Sequence, residues 1–205
     1  MDWIRLLGLW CTALSVAFVW PQVVRVYRHH TVDGIAPKGT LHGGVASSMW
    51  LLYGLSVGDP AISVANAAVV LAMTLIATQQ IRHRVLSTRT AALTVLLVVV
   101  VGGIGLAISP SVVGWLAIVA GATSVLPQTF HVLHAPTLHG VSVPTYALLC
   151  LTTLSWASYG LGIGDPLVVA TNLLVLPCAA LVMSRTWIFQ RRSLALAAER
   201  PIERV

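Results

Sequence analysis

Charge is scarce in this sequence. Only 9% of the 205 residues are charged, and acidic side chains number six, while 57% of the residues are hydrophobic. A water-soluble domain of this length cannot hide that much apolar surface, so the chain belongs in a bilayer. Cysteine is also sparse. Cys11, Cys150 and Cys178 all fall inside apolar runs. None has metal-ligand spacing, so neither a disulfide framework nor a metal site is expected. The sequence also lacks a nucleophile–base pair, a phosphate-cradling loop and paired carboxylates, which argues against an enzyme.

What is present is apolar length. A spanning helix needs about 20 mostly apolar residues. Seven candidates stand at roughly 4–27, 40–57, 61–80, 91–108, 112–133, 144–162 and 166–188. The pattern predicts an all-α membrane protein with seven transmembrane helices. A formal charge of +6 would suit an acidic partner, but Arg25, Arg28, Lys38, Arg82, Arg84, Arg89, Arg185, Arg191 and Arg192 flank the apolar runs. They read as topology signals, and no nucleic-acid partner is expected. Of the twelve Lys and Arg, all but Arg5 fall on one side of a seven-span chain. The positive-inside rule then puts the N-terminus outside and the tail in the cytoplasm. The first run lacks a basic n-region and a clear cleavage site, so it reads as part of the fold and not as a signal peptide.

Two stretches nearly coincide: YGLSVGDPAISVAN (Tyr53–Asn66) and YGLGIGDPLVVATN (Tyr159–Asn172), 106 residues apart. The same shift pairs Pro21-Gln22 with Pro127-Gln128 and Trp50 with Trp156, with no gap. Apolar matches are cheap in a membrane protein; Pro-Gln, Trp, Gly-Asp-Pro and Asn matches are not. The chain is therefore two copies of a three-helix unit. Three spans alone would invert the second copy. The unmatched run at 91–108 restores its direction, giving a 3+1+3 layout with parallel repeats. The expected organisation is residues 1–80 as the first repeat, 81–111 as the linker with the fourth helix, 112–189 as the second repeat and 190–205 as a cytoplasmic tail.

Repeats related by an axis along the membrane normal bring equivalent residues face to face. Asn66 would oppose Asn172, and Trp50 would oppose Trp156. At 1.5 Å per residue, Asn66 lies about 9 Å below the turn at Pro60 and Trp50 about 13 Å below Asp59. Both are deep enough that a carboxamide must find a partner. Asn bridges neighbouring hydroxyls, and Trp offers a flat apolar face with one N–H. This uncharged quartet suits a neutral polyhydroxy ligand better than a carboxylate or ammonium. Ser47 and Thr153, three residues before the tryptophans, would share that face. The alternative is that the asparagines tie helices together and the tryptophans pack.

Two Pro-Gln helices, a 3+1+3 layout and a Trp…Asn pair sixteen residues apart in each unit resemble the SWEET sugar transporters. Each single unit is similar to the bacterial half-size SemiSWEETs of the PQ-loop (MtN3) group. Parallel repeats are a known property of that family. The resemblance implies that Trp50, Asn66, Trp156 and Asn172 bind sugar. It also implies that Pro21, Gln22, Pro37, Pro127, Gln128 and Pro144 form a hinge, and that Tyr53, Asp59, Tyr159 and Asp165 lie in the extracellular gate. Two of these have plainer readings: Asp59-Pro60 and Asp165-Pro166 fit an N-cap followed by a first helical residue, and Pro37 and Pro144 fit helix starts.

No Asp, Glu, Lys or Arg lies mid-membrane in the expected path, and proton-coupled transporters usually need such a group. His42 has Leu148 as its counterpart, which argues against a shared proton role. His131, His134 and His139 do not supply converging metal ligands. The expectation is thus a facilitative transporter of a small neutral mono- or disaccharide, without cofactor, in a plasma membrane of bacterial type. A monomer suffices for a path, and a homo-oligomer is compatible with it. Another neutral solute such as an amino acid, or a non-transporting receptor or scaffold, stays open at this point.

Overall fold

The computed structural model describes residues 2–135, 137–138 and 140–198, without the side chains of 127, 128 and 195–198. The side chains of Pro127 and Gln128, all of His139 and the tail beyond residue 198 therefore lie outside the described residues.

Seven helices follow one another: α1 (Trp3–His29), α2 (Pro37–Val57), α3 (Pro60–Arg82), α4 (Thr88–Ile108), α5 (Pro110–His134), α6 (Val143–Ile163) and α7 (Pro166–Ala198). Each runs within a few residues of its sequence-predicted span, except that α7 continues well past residue 188. Six are long and apolar enough to cross a membrane. The exception is α2, whose 21 residues give about 31 Å of rise, enough for the hydrocarbon core. Its more polar composition, with Lys38, His42, Ser47 and Ser48, is accommodated because α3, α4 and α5 all pack on it.

The helix ends follow from local chemistry. Gly58 and Gly164 stop α2 and α6 at φ 71°, a left-handed conformation that glycine adopts without strain. The next residue caps the following helix. Oδ1 of Asp59 accepts from the Ile62 N–H at 2.8 Å, and Oδ1 of Asp165 accepts from those of Leu167 and Val168 at 2.9 and 3.2 Å. Pro60 and Pro166 then open α3 and α7, where a missing N–H is harmless. Three residues thus reverse the chain in each copy. Ser87, Ser109 and Ser142 cap α4, α5 and α6 in the same way.

Within the first repeat α3 packs on both α1 and α2; within the second α7 packs on both α5 and α6. The repeats meet along two seams, α2 against α5 and α1 against α6. The unmatched α4 packs on α2 and α5, covering the first seam, and has no equivalent on the second. Close approach relies on glycine. A Cβ on Gly54 would sit 2.9 Å from the Ser63 nitrogen, and one on Gly160 would sit 3.0 Å from that of Val169.

The apolar core is divided unevenly along the bundle. Near the Gly-Asp-Pro turns, Cys11, Met49, Tyr53, Ile62, Val113, Ala117, Tyr159 and Val168 form one cluster drawn from both repeats. Toward the opposite, basic end the core splits. Val19, Val23, Ala72 and Ile76 pack within the first repeat, and Val132, Leu138 and Val182 within the second. The halves are joined at the turn end and keep separate cores at the basic end.

Candidate functional site: a central cavity behind paired latches

A cavity of about 160 Å³ lies between the repeats, lined by Ser15, Trp50, Ile62, Asn66, Trp156, Val168, Thr171 and Asn172. All four residues of the Trp/Asn quartet converge there, with both asparagines on first-turn-to-second-turn positions of α3 and α7. None of the lining side chains is charged. The volume is close to that of an engineered cavity that takes up a benzene ring, about 150 Å³, so a single ring is the size class.

The asparagines are held in the same way in both repeats. Nδ2 of Asn66 donates to the Ile62 carbonyl at 2.9 Å, and Nδ2 of Asn172 to the Val168 carbonyl at 2.8 Å. One N–H is tied back along the helix, which fixes the rotamer. The Oδ1 atom and the second N–H of each carboxamide remain for a ligand. The tryptophans are braced from the turn side: Trp50 meets Tyr53, and Trp156 meets Tyr159, edge to face with ring centroids 5.6 Å apart.

Those tyrosines close the turn end. The Tyr53 hydroxyl donates to Oδ2 of Asp165 at 2.6 Å, and the Tyr159 hydroxyl to Oδ2 of Asp59 at 2.8 Å. Each bond crosses from one repeat to the other. Both rings are only 5% exposed. Each carboxylate thus does two jobs, one oxygen capping its own helix and the other latching the opposite repeat. Beyond the latches, a wider vestibule of about 750 Å³ is lined by both aspartates together with Tyr53, Ser111 and Trp115.

Ser47 and Thr153 are not among the cavity-lining residues. They sit one turn toward the basic end from the tryptophans, and the Thr153 hydroxyl bonds to the Leu149 and Cys150 carbonyls of its own helix. Pro21 lies within an α1 that stays helical to His29, and Pro21 and Gln22 are exposed. Pro37 and Pro144 occupy the first turns of α2 and α6. Pro177, inside α7, is a further helix-interior proline that the repeat comparison passed over, because its partner position holds Leu71. Among the described residues, no three His, Cys, Asp or Glu come together as a metal site.

Sequence reasoning also missed Gly8 and Gly114, which make room for the latch rings. A Cβ on Gly8 would lie 2.9 Å from a Tyr159 ring carbon, and one on Gly114 would lie 3.1 Å from Tyr53. The 106-residue shift, extended toward the N-terminus, pairs these two glycines and would have found them.

This is an all-helical architecture of two parallel three-helix repeats joined by a fourth helix. Residues 5–82 match the sequence model of the MtN3 family, described as a sugar efflux transporter for intercellular exchange. A solved structure of a eukaryotic SWEET transporter superposes with a TM-score of 0.76 at 14% identity, covering 93% of this chain and all of that one. No curated protein matches the sequence. The first repeat thus matches the MtN3 family model, the whole chain has the fold of a SWEET transporter, and the resemblance read from the doubled motif is borne out. Both matches are to transporters, not enzymes.

Proposed function

We propose that the chain is a facilitative transporter of a small neutral sugar, working by alternating access. The observation that carries this reading is the uncharged Trp/Asn cavity closed off by two cross-repeat Tyr–Asp bonds. Carboxamides bridge vicinal hydroxyls, and indole faces cover the C–H surface of a ring. The family model that residues 5–82 match is described as a sugar efflux transporter.

The basic end faces the cytoplasm and the N-terminus lies outside, as the distribution of Lys and Arg supports, and the plasma membrane is the setting. The conformation is then closed to the outside. The unsplit core at the turn end and the separate cores at the basic end support an opening toward the cytoplasm. Movement about Pro21, Gln22, Pro37, Pro127, Gln128 and Pro144 would swing the basic ends together as the latches part. The cavity wall offers no titratable carboxylate, which favours uniport over proton coupling.

The test is counterflow of labelled glucose and sucrose into proteoliposomes with no proton gradient. Saturable flux that falls to background in Asn172→Ala is expected. Folded, inserted wild type that moves neither sugar would sink the reading, and neutral amino acids would be the next solutes to try.

A further inference from the structure

The repeats are near-copies, yet the two halves of the cavity differ in what they leave free. On the side built around α1, the tryptophan N–H and the neighbouring hydroxyl are both paired. Nε1 of Trp156 donates to Oγ of Ser15 at 3.2 Å, and that hydroxyl donates to the Cys11 carbonyl at 3.0 Å. On the side built around α5, the position matching Ser15 is Gly121, and a Cβ placed there meets nothing within 4 Å. The Trp50 indole N–H accordingly has no hydrogen-bond partner among the described residues. Next to Asn172, the Thr171 hydroxyl also has no partner, although it is shielded from solvent. Its counterpart beside Asn66 is Ala65, which is buried in the packed core. A helical threonine ordinarily bonds the carbonyl four residues back, as Thr152 does to Leu148 at 2.8 Å. Thr171 does not.

A shielded, unpaired hydroxyl such as that of Thr171 is unfavourable unless something completes it, and the Trp50 N–H beside the same cavity lacks a protein partner as well. Both sit on the same side: α2, which carries Trp50, and α7, which carries Thr171, each pack on α5. We infer that Trp50 and Thr171 are the orienting contacts of the cavity. A bound ring places its hydroxyl-rich edge toward α5, against the Trp50 N–H and the Thr171 hydroxyl, and its C–H face toward Trp156. The symmetric path thereby binds its ligand in one orientation. This assignment rests on the sugar reading above.

The experiment compares matched variants of the full chain in nanodiscs, measuring glucose and sucrose binding beside thermal unfolding. Trp50→Phe and Trp156→Phe remove equal ring area, but only the first removes a free donor. Trp50→Phe is expected to bind about three- to ten-fold more weakly than Trp156→Phe, the range one neutral hydrogen bond supplies. Thr171→Val should weaken binding by a similar factor while leaving the unfolding temperature unchanged or higher, because it removes an unsatisfied polar atom. A merely structural threonine would not move binding and stability in opposite directions. Gly121→Ser, which has open space for its side chain, should engage the Trp50 N–H and weaken binding several-fold, about as one hydrogen bond would. Folded wild type that binds neither sugar overturns the sugar reading and this assignment together. Binding that the two tryptophan variants weaken equally, or that Thr171→Val leaves intact, overturns this assignment alone.

Discussion

At the turn end the two repeats carry the same fastening. Each has a tyrosine bonded to the other's aspartate, each aspartate caps its own helix, and each latch ring sits in a space left by a glycine. Along the seams they part company. The α1/α6 seam is tied by side chains: Trp156 to Ser15, and Trp10 to Ser155 at 3.1 Å. The α2/α5 seam is covered by α4 and tied nearer the basic end, where Nε2 of His42 donates to the Ala120 carbonyl at 2.7 Å. The difference separates two demands on one fold. A gate closes well when both halves carry the same fastening. A cavity that must tell one end of a ligand from the other gains from halves that differ.

Four measurements would break or sharpen that comparison. The largest effect is expected at the asparagines. Asn66→Leu and Asn172→Leu should each reduce sugar flux by about ten-fold or more, since each loses up to two ligand hydrogen bonds of about 1 kcal/mol. Counterflow in liposomes with matched insertion reads this, and a variant with wild-type flux removes its asparagine from the site. Next come the contact glycines. Gly54→Ala and Gly160→Ala push a methyl against backbone nitrogen, and each should destabilise the bundle by about 1–3 kcal/mol. A marked difference between them in thermal unfolding would show that the two repeats pack less alike than their geometry indicates.

The latches come third. Tyr53→Phe and Tyr159→Phe each remove a hydrogen bond to a carboxylate, a contact of about 1.5–3 kcal/mol. Spin labels at Val57 and Ile163, which both border the vestibule, should report a longer-distance population in either variant and more of it in the pair. An unchanged distance distribution would mean that the latches do not hold the turn end shut. The smallest effect is expected at His42. His42→Leu installs the residue found at its counterpart, Leu148, and should lower stability by about 1 kcal/mol or less. A larger loss would make this seam contact, and not α4, the main tie between α2 and α5.

Much of this was legible in the sequence because membrane folds leave few options. Apolar runs of the right length can only be helices, and the 106-residue register fixed which positions face each other. Trp50, Asn66, Trp156 and Asn172 were found that way, and the structure brings all four to one cavity. Ser47 and Thr153 were placed with them by spacing, but three residues along a helix turn a side chain about 60° off the tryptophan's direction and one turn away in depth. Ser15 and Thr171 were invisible to the repeat, since the comparison rewards identity and these positions matter through their mismatches with Gly121 and Ala65. The Tyr–Asp pairs were out of reach for another reason. The register pairs each tyrosine and aspartate with its equivalent in the other copy, and only the three-dimensional crossing shows that each tyrosine bonds to the other copy's aspartate.

The division of labour within each aspartate has a genetic consequence. Asp59 and Asp165 are pleiotropic: each codon governs both the integrity of a helix start and a bond to the opposite repeat. Under the proposed alternating access, opening the turn end would break only the Oδ2 bond and leave the helix start held by the Oδ1 bonds. Substitutions, however, rarely divide so neatly. Asparagine preserves the cap and removes the charge behind the latch, serine preserves a cap with too short a reach, and glutamate keeps the charge at the expense of the cap. Selection on gating strength alone has freer play at Tyr53 and Tyr159, where a change alters one trait. Lineages that retune how readily such a gate opens should accumulate substitutions at the tyrosines and leave the aspartates alone.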